Sequence, residues 1–249
     1  MSIILSVIMI YNRICWTDVE TATIGKHKAK STWWFIYKSG IPFNKLFLAS
    51  TQMLLKLYGI KEGVLGIDET DNPRSKQTSF IHKAHKYFEK KSGGYKNGQE
   101  IVVLVLITST ITIPVGFAFY EPDKAISDWR KENKRQIKQN VPKSDRPKRP
   151  KPSDNYRSKT QLAAELVKDF KINNSEIKIK AVVADALYGS NSFYKSMPEV
   201  SNQLISQLKT NQKVTYKNKQ YTVKEFFTTV FKPIKSTIVI RGLIEKNRV

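Results

Sequence analysis

The sequence predicts an α/β protein built around a mixed sheet, and three patterns lead to this prediction. Two apolar runs, residues 64–68 and 179–185, each end in an aspartate and then break at turn-forming residues, as buried strands do. A third run, 101–107, is continuously aliphatic, which is typical of a strand covered on both faces. A helical pattern directly precedes the second aspartate run, and a helix followed by a strand is half of a parallel crossover.

The charge of the chain points to a polyanionic partner. Its 249 residues include 43 Lys and Arg against 21 Asp and Glu, which gives a formal net charge of +22. Such a surplus favours nucleic acid as the partner. The apolar content of 40% excludes a disordered basic tail. Cys15 is the single cysteine, so a disulfide within the chain and a cysteine-based zinc site are excluded, and a reducing, cytoplasmic setting fits.

An N-terminal helical region is predicted over residues 1–60. Apolar residues recur at roughly helical spacing between Trp33 and Leu57, and Pro42 divides them into two segments. The apolar stretch 1–10 lacks a preceding basic segment and is too short to span a bilayer, so no membrane association is expected. It is interpreted as the buried face of a first helix or as the edge of a larger N-terminal domain.

Residues 61–210 are predicted to form the core that contains the two aspartates. After the first aspartate strand comes a polar, basic loop in which His82 and His85 lie three apart. A metal pair and a helical turn with DNA-facing lysines both fit, and the lack of an evident third ligand favours the turn. The glycine-containing stretch 93–98 lacks the Lys-Ser/Thr ending of a phosphate loop, so it is predicted to be a flexible turn.

The third strand of the core, 111–119, is predicted to return antiparallel beside 101–107. Pro114 lies inside it. Because proline donates no ladder hydrogen bond, this strand is expected at a sheet edge or at a bulge.

Residues 123–157 form a basic, proline-rich segment. A charged helical stretch, 129–138, comes first, and four prolines then alternate with five cations between residues 142 and 152. The prolines keep the chain extended, and the cations suit phosphate contacts. The alternatives are a solvated linker and a linker that also contacts DNA, of which the second is favoured.

The rest of the core repeats the logic of a parallel crossover. Residues 158–161 read as a capping box that begins a helix, and the second aspartate strand follows this helix after a short connection. The two aspartate strands are therefore expected to be parallel neighbours, with Asp68 and Asp185 at one end of the sheet. A short helix, 190–197, and a strand, 203–208, complete the core. Residues 211–249 are predicted to be a partial β-rich insertion.

Two strand-borne aspartates suit phosphodiester chemistry. Two Mg²⁺ ions about 4 Å apart can activate the attacking oxygen and stabilise the leaving oxygen, and magnesium takes oxygen ligands. A single aspartate after a strand is equally a turn former or a helix cap. A pair on adjacent strands in so basic a chain favours the metal site.

At these residues the sequence resembles the transposases of insertion sequences that use an Asp-Asp-Glu triad. The resemblance covers roughly residues 60–210 and rests on Gly-Ile-Asp-Glu-Thr at 66–70, Pro-Arg-Ser-Lys at 73–76, Gly-Gln-Glu at 98–100, Ile-Pro-Val-Gly-Phe at 113–117 and Val-Val-Ala-Asp-Ala-Leu-Tyr-Gly at 182–189. It implies a ribonuclease H-like fold with sheet order 3-2-1-4-5 and a prokaryotic, nucleoid-associated protein that cleaves DNA and transfers strands. It also implies that Asp68 and Asp185 are catalytic metal ligands for two Mg²⁺ ions, for which Mn²⁺ can substitute.

The same resemblance implies that the partners are DNA, as transposon ends and target, and further copies of the chain assembled on that DNA. The expected phosphate contacts come from the loop after the first strand and from the proline-rich segment: Arg74, Lys76, Lys83, Lys86, Arg146, Lys148 and Arg149.

The third acid of the triad departs from the family pattern, which is Tyr, two residues, Arg, three residues, Glu, and Lys six residues later on a helix. Arg241 and Glu245 have the right spacing, but Ile238 replaces the tyrosine and its neighbours resemble a strand. We therefore expect a truncated copy with little strand transfer that still binds DNA in a salt-dependent way. A non-catalytic DNA-binding remnant and a metal-dependent nuclease or phosphatase of another family are the alternatives.

Overall fold

A computed structural model describes residues 15–38, 40–74, 78–89, 92–196, 203–231, 236–240 and 243–247, the last two ranges and Ser196 by their backbone alone. The chain divides into two compact units, residues 1–50 and 51–249. Across the described ranges, no helix combines the length and apolar content needed to cross a bilayer. The stretch 1–10, Lys76, Arg241 and the end of the predicted helix 190–197 lie outside the described residues.

The described part of the first unit is helical, as predicted. It contains α1 (Trp16–Ala22), α2 (Ala29–Lys38) and the start of α3 (Phe43–Leu57). The Glu20 carboxylate accepts hydrogen bonds from the Ala29 amide at 2.8 Å and from Lys28 Nζ at 3.1 Å. A carboxylate at the first turn of a helix satisfies a free amide there, so Glu20 joins α1 to α2.

The second unit is built on a six-stranded mixed sheet. Its strands are β1 (Glu62–Pro73), β2 (His85–Glu89), β3 (Gly94–Ile107), β4 (Thr112–Tyr120), β5 (Lys178–Ala184) and β6 (Leu204–Ser206). Its helices are α4 (Lys124–Lys138), α5 (Lys159–Asn173) and α6 (Asn191–Ser196). Beyond the sheet lie the hairpin β7 (Lys213–Tyr216) and β8 (Lys219–Thr222), the helical turn α7 (Val223–Glu225), and the pair β9 (Ser236–Ile240) and β10 (Leu243–Asn247).

The strand order confirms the predicted ribonuclease H-like sheet. Reading across the sheet, β4 pairs with β3, β3 with β1, β1 with β5, and β5 with β6, while β2 pairs with the first part of β3. β5 runs parallel to both β1 and β6, and β3 runs antiparallel to β1 and β4. In terms of the five predicted strands, this is the order 3-2-1-4-5.

The prediction for Pro114 is also confirmed. Among the described strands, β4 pairs only with β3, and the pairing register shifts between Leu104 and Val105, where Pro114 stands opposite Val105. Its missing amide proton is thus accommodated at an edge strand and at a bulge together.

One face of the sheet is covered by α5. The capping box at its start is present, because the Ser158 and Gln161 side chains exchange hydrogen bonds with each other's backbone. Its apolar residues belong to one buried cluster with the residues of β1 and β3 that point the same way. This cluster includes Leu65, Ile67, Val102, Leu104, Leu162, Val167 and Phe170. Full burial of such a side chain stabilises the fold by about 1.5–3 kcal/mol.

The opposite face of the sheet is less covered and carries Asp68. Asp68 stands opposite Val103, and Phe117 follows on the next strand. Phe117 and Val183 on this face each retain 38% of their exposure, whereas Leu65 and Leu104 on the other face retain 1% or less. The aspartate side of the sheet is therefore open to a large ligand within the described part of the chain.

Three local predictions were wrong. β1 does not end at Asp68 but continues to Pro73, because residues 69–73 keep pairing with β3. Residues 94–98 are strand rather than a flexible turn, since they pair with β2. His85 lies on β2 and His82 in the turn before it, so the predicted helical turn is absent there.

Candidate metal centre

The register of β1 and β5 places the two aspartates at adjacent positions. The last residue pair of this parallel ladder is Ile67 with Ala184, and Asp68 and Asp185 each come one residue later. Neighbouring strands lie about 4.8 Å apart, so the two carboxylates are close enough to bind the same pair of metal ions. Parallel pairing stops at these residues, where β5 turns away and β1 continues alone beside β3.

Each aspartate is held by a backbone amide and keeps one oxygen free. Asp68 Oδ1 accepts a hydrogen bond from the Glu69 amide at 2.7 Å, and Asp185 Oδ1 accepts one from the Leu187 amide at 2.8 Å. Both residues are exposed. Among the described residues, neither Oδ2 accepts a hydrogen bond or faces a cation, so both remain available to a ligand.

The loop after β5 is fixed by contacts with β6. Ser206 Oγ donates to the Asp185 carbonyl oxygen at 2.6 Å, and the Tyr188 amide donates to the same oxygen at 3.1 Å. Gly189 passes close to the next strand, because a Cβ there would lie 2.5 Å from the Gln207 carbonyl oxygen. A side chain at this position would displace the loop that carries Asp185.

Tyr188 joins this loop to β1. Its ring is fully buried and packs edge-on against Phe193 at 5.2 Å between centroids. Its hydroxyl donates to Glu69 Oε1 at 3.2 Å. Burial raises the pKa of the Tyr188 phenol, and the negative charges of Glu69, Asp185 and Asp68 raise it further. The phenol is therefore a neutral donor surrounded by the carboxylates of both strands.

Glu69 is the first member of a series of alternating charges on the face of the sheet that α5 covers. Lys159 Nζ bridges Glu69 Oε2 at 3.0 Å and Glu100 Oε1 at 2.8 Å, and His85 Nε2 contacts Glu100 Oε2 at 2.8 Å. The Lys159 ammonium also lies 5.3 Å from the centre of the Tyr120 ring. We call Glu69, Lys159, Glu100 and His85 the ionic chain.

The hydrogen bonds of His85 require its protonated form. Nδ1 lies 2.9 Å from the Lys83 carbonyl oxygen and Nε2 faces Glu100, so both ring nitrogens meet acceptors. Burial alone lowers the pKa of His85, but the bonds to Glu100 and to the Lys83 carbonyl outweigh it, and the pKa is raised. With both nitrogens engaged, His85 is not available as the metal ligand that was considered with His82.

Two further members of the ionic chain, Glu100 and Lys159, are stabilised in their charged forms. Burial alone raises the pKa of Glu100, but the bonds from His85 and Lys159 outweigh it and lower the pKa. Burial lowers the pKa of Lys159, but its bonds to Glu100 and Glu69 outweigh it and raise the pKa. The chain is thus two carboxylates neutralised by two cations.

The donor set at the two aspartates fits Mg²⁺. This ion takes oxygen ligands and is held by one or two carboxylates together with water and substrate phosphates. Among the described side chains, no group of three or more His, Cys, Asp and Glu could hold a metal ion. Glu245 lies on strand β10, not on a helix, and its side chain is not among those described.

The basic residues predicted to contact DNA differ in how far they are already engaged. Arg74 donates to Gln99 Oε1 at 3.2 Å, Lys83 donates to the Phe119 carbonyl oxygen at 3.3 Å, and Arg146 donates to the Val141 carbonyl oxygen at 2.8 Å. Lys86, Lys148 and Arg149 are exposed, and the Lys86 ammonium lies 5.4 Å from the centre of the Tyr95 ring.

Sequence reasoning assigned no role to Glu69, Glu100, Lys159 or Tyr188. Strand alternation could have separated Glu69 from Asp68, because successive side chains point to opposite faces. Nothing local identifies Lys159 as its counterion, since 90 residues separate them.

Comparison with known proteins agrees with this fold. A family model described as DDE superfamily endonuclease matches residues 48–224, which is well over half of the chain. No curated protein and no solved structure gives a match. The matched range contains the whole mixed sheet, both aspartates and the ionic chain. The chain belongs to the DDE superfamily endonuclease family.

Proposed function

We propose that this chain is a transposase of an insertion sequence whose DNA cleavage and strand transfer rely on divalent metal ions held by Asp68 and Asp185. Because no third acid joins these two aspartates among the described side chains, we expect little strand transfer from this chain. The observation that carries the proposal is the β1–β5 register, in which the two aspartates follow the last pair, Ile67 and Ala184, on neighbouring parallel strands. Two exposed carboxylates with free oxygens on an open sheet face suit a phosphodiester substrate.

The residues around the aspartates would set the geometry of the centre. The Glu69 and Leu187 amides orient the two carboxylates through their Oδ1 atoms and leave the Oδ2 atoms to bind. Tyr188 and Ser206 hold the Asp185 loop against β1 and β6. When bound, Mg²⁺ or Mn²⁺ would neutralise charge on the phosphate and activate the attacking oxygen.

The partner in this proposal is DNA, as transposon ends and target, with further copies of the chain assembling on it. The net charge of +22 supports a polyanionic partner, and Lys86, Lys148 and Arg149 have exposed charged groups suited to phosphates. Sedimentation of the protein with and without a duplex would measure the assembly, and a single copy on every duplex would contradict that part.

The test compares Asp68→Asn and Asp185→Asn with Asp71→Asn. Asp71 is an exposed aspartate on the same strand, beyond the parallel pairing with β5, so it is a matched control. Wild-type protein should bind Mn²⁺, measured by electron paramagnetic resonance, and should nick duplex DNA in Mg²⁺ or Mn²⁺ with little joining. The first two variants should lose both properties with DNA binding retained, and the control should keep all three.

A non-catalytic DNA-binding protein on the same scaffold is the second candidate. It is favoured by one observation, that the described side chains form no cluster of three metal-binding groups. In that case the wild-type protein would bind DNA but neither bind Mn²⁺ through the aspartates nor cleave, and both aspartate variants would behave like wild type. Hydrolysis without any joining would instead indicate a nuclease.

A further inference from the structure

Residues 123–153 fold into a fastened structure instead of a loose linker. This segment consists of α4 and the proline-rich stretch that returns along it, and we call it the basic arm. Asp123 closes its base, because Oδ1 accepts from the Ile126 amide and caps α4 while Oδ2 accepts from the Ser153 amide, both at 2.9 Å. Midway, Trp129 Nε1 donates to the Pro147 carbonyl oxygen at 2.7 Å.

The prolines and one arginine stiffen the returning stretch. Arg146 Nε donates to the Val141 carbonyl oxygen at 2.8 Å and closes a short turn that contains Pro142. Proline fixes its own φ and restricts the residue before it to extended conformations. The returning stretch is therefore held at a defined place beside α4 by Asp123 and Trp129.

The basic arm concentrates positive charge on its outer surface. It contains eleven Lys and Arg against four Asp and Glu, a net charge of +7. Two of the cations form exposed ion pairs within α4, Lys131 with Asp128 and Arg135 with Glu132. The exposed cations without an ion pair to any described residue are Lys124, Arg130, Lys134, Lys138, Lys143, Lys148, Arg149 and Lys151.

The spacing of these cations produces charge repulsion in the arm when no polyanion is bound. Arg130, Lys134 and Lys138 lie four residues apart along one side of α4, so successive charges are about 6 Å apart. Like charges at this spacing repel each other and destabilise a helix. A polyanion would relieve this repulsion, and duplex DNA presents one negative charge per about 1.7 Å of its axis.

We propose that the basic arm is a preformed docking surface for the phosphate backbone of double-stranded DNA, with α4 and the returning stretch each supplying cations. The inference rests on the proposed function in taking DNA as the partner, and it does not depend on the metal centre. Because contacts from Lys and Arg to phosphate oxygens carry no sequence information, the contact is independent of base sequence. The hydrogen bonds of Asp123 and Trp129 hold the charged residues in position before DNA binds, which lowers the entropy cost of binding.

The charge test uses two quadruple variants with the same net charge. The arm variant carries Lys134→Gln, Lys138→Gln, Lys148→Gln and Arg149→Gln. The control variant removes four exposed cations around the β7–β8 hairpin, namely Lys209→Gln, Lys213→Gln, Lys217→Gln and Lys219→Gln. Fluorescence anisotropy would measure affinity for a mixed-sequence duplex over a series of salt concentrations.

Each phosphate contact contributes about 0.9 to the slope of log K against log salt, so the arm variant should lower the slope by about 2–4 and the control by less than about 1. Equal losses in the two variants would overturn the proposal, because net charge alone would then explain binding. Wild-type protein that prefers an RNA hairpin or an anionic lipid vesicle to the duplex would overturn the choice of DNA.

A second variant tests whether the arm is preformed. Trp129→Phe keeps an aromatic ring but removes the Nε1 donor to Pro147, while Trp16→Phe in α1 is the matched control. Loss of one hydrogen bond, worth about 1 kcal/mol, should weaken DNA binding about fivefold with the salt slope unchanged. Wild-type affinity in Trp129→Phe would overturn the fastened arm.

The metal-centre test remains separate. Both quadruple variants keep Asp68 and Asp185, so the comparison of their salt slopes does not depend on the metal centre. If the wild-type protein fails to cleave while the arm variant still loses its slope, the proposed function fails and the docking surface stands.

Discussion

Replacing Lys159 by Met should destabilise the second unit through the two carboxylates it leaves behind. Lys159 Nζ lies 3.0 Å from Glu69 and 2.8 Å from Glu100. The side chains of Lys159, Glu69 and Glu100 retain 20%, 27% and 18% of their exposure. Methionine has similar length and helix propensity, so the change removes mainly the charge.

The size of the effect follows from this partial burial. Removing one member of a fully buried pair costs about 3–5 kcal/mol, and removing one member of an exposed pair costs about 0–1 kcal/mol. The Lys159 pairs lie between these limits, and one cation serves two acids, so we expect a loss of about 2–3 kcal/mol in the free energy of unfolding. For a domain of this size, Tm should fall by about 5–10 °C.

Arg157→Met is the matched control for this prediction. Arg157 precedes α5 and pairs with Glu165 at 3.0 Å, and their side chains retain 46% and 53% of their exposure. It also donates to the carbonyl oxygens of Asp154 and Tyr156. We nevertheless expect a cost of no more than about 1 kcal/mol, because water replaces these exposed contacts. Urea unfolding followed by circular dichroism would measure both variants.

The pH dependence of the free energy of unfolding tests whether the ionic chain has this structural role. The fold lowers the pKa of Glu100, so its contribution to stability is present above the ordinary glutamate pKa of 4.5 and is lost as pH falls through the folded value. The difference between wild type and Lys159→Met should therefore shrink in acid. Equal destabilisation by the two variants at neutral pH, or a difference that stays constant into acid, would refute the structural role of the ionic chain.

Three further predictions concern the surroundings of the aspartates. The fold raises the pKa of His85, so the contribution of His85 to stability is full below the ordinary histidine pKa of 6.5 and is lost as pH rises through the folded value. His85→Gln should remove this decrease in stability with pH, as measured by urea unfolding across the pH range. Tyr188→Phe should cost about 1–2 kcal/mol in the same unfolding assay, because Glu69 Oε1 loses its buried donor. A wild-type unfolding curve for Tyr188→Phe would contradict that link. Gly189→Ala should weaken Mn²⁺ binding severalfold, because a Cβ 2.5 Å from the Gln207 carbonyl oxygen displaces the Asp185 loop; unchanged Mn²⁺ affinity would contradict it.

The wrong local predictions share a physical cause. Residues 94–98 contain glycines that favour a turn in isolation, but Gly98 serves close packing instead, since a Cβ there would lie 2.4 Å from the Asn72 carbonyl oxygen. This close approach lets β1 pair with β3 as far as Pro73. The polar residues after Asp68 therefore form backbone hydrogen bonds with β3 and remain part of the strand. Local composition does not reveal a strand whose partner is distant in sequence.

The sequence by itself determined the elements whose signals are local. Apolar runs identified β1, which carries Asp68, and β5, which Asp185 follows directly. A capping box identified the start of α5, and Pro114 indicated an edge strand. Each of these signals depends on residues within one element, where periodicity and missing donors act directly. The charge excess, which needs no fold at all, pointed to a polyanion.

Only the tertiary structure decided how the aspartate strands are tied together. Tyr188 and Glu69 are 119 residues apart, and Lys159 is 59 residues from Glu100 and 90 from Glu69. Such contacts form when the crossover through α5 brings β5 beside β1, and charged groups are stable there because each finds an opposite charge within 3.0 Å. No pattern within a single element encodes that meeting, since the pairing energy arises only after the sheet has assembled.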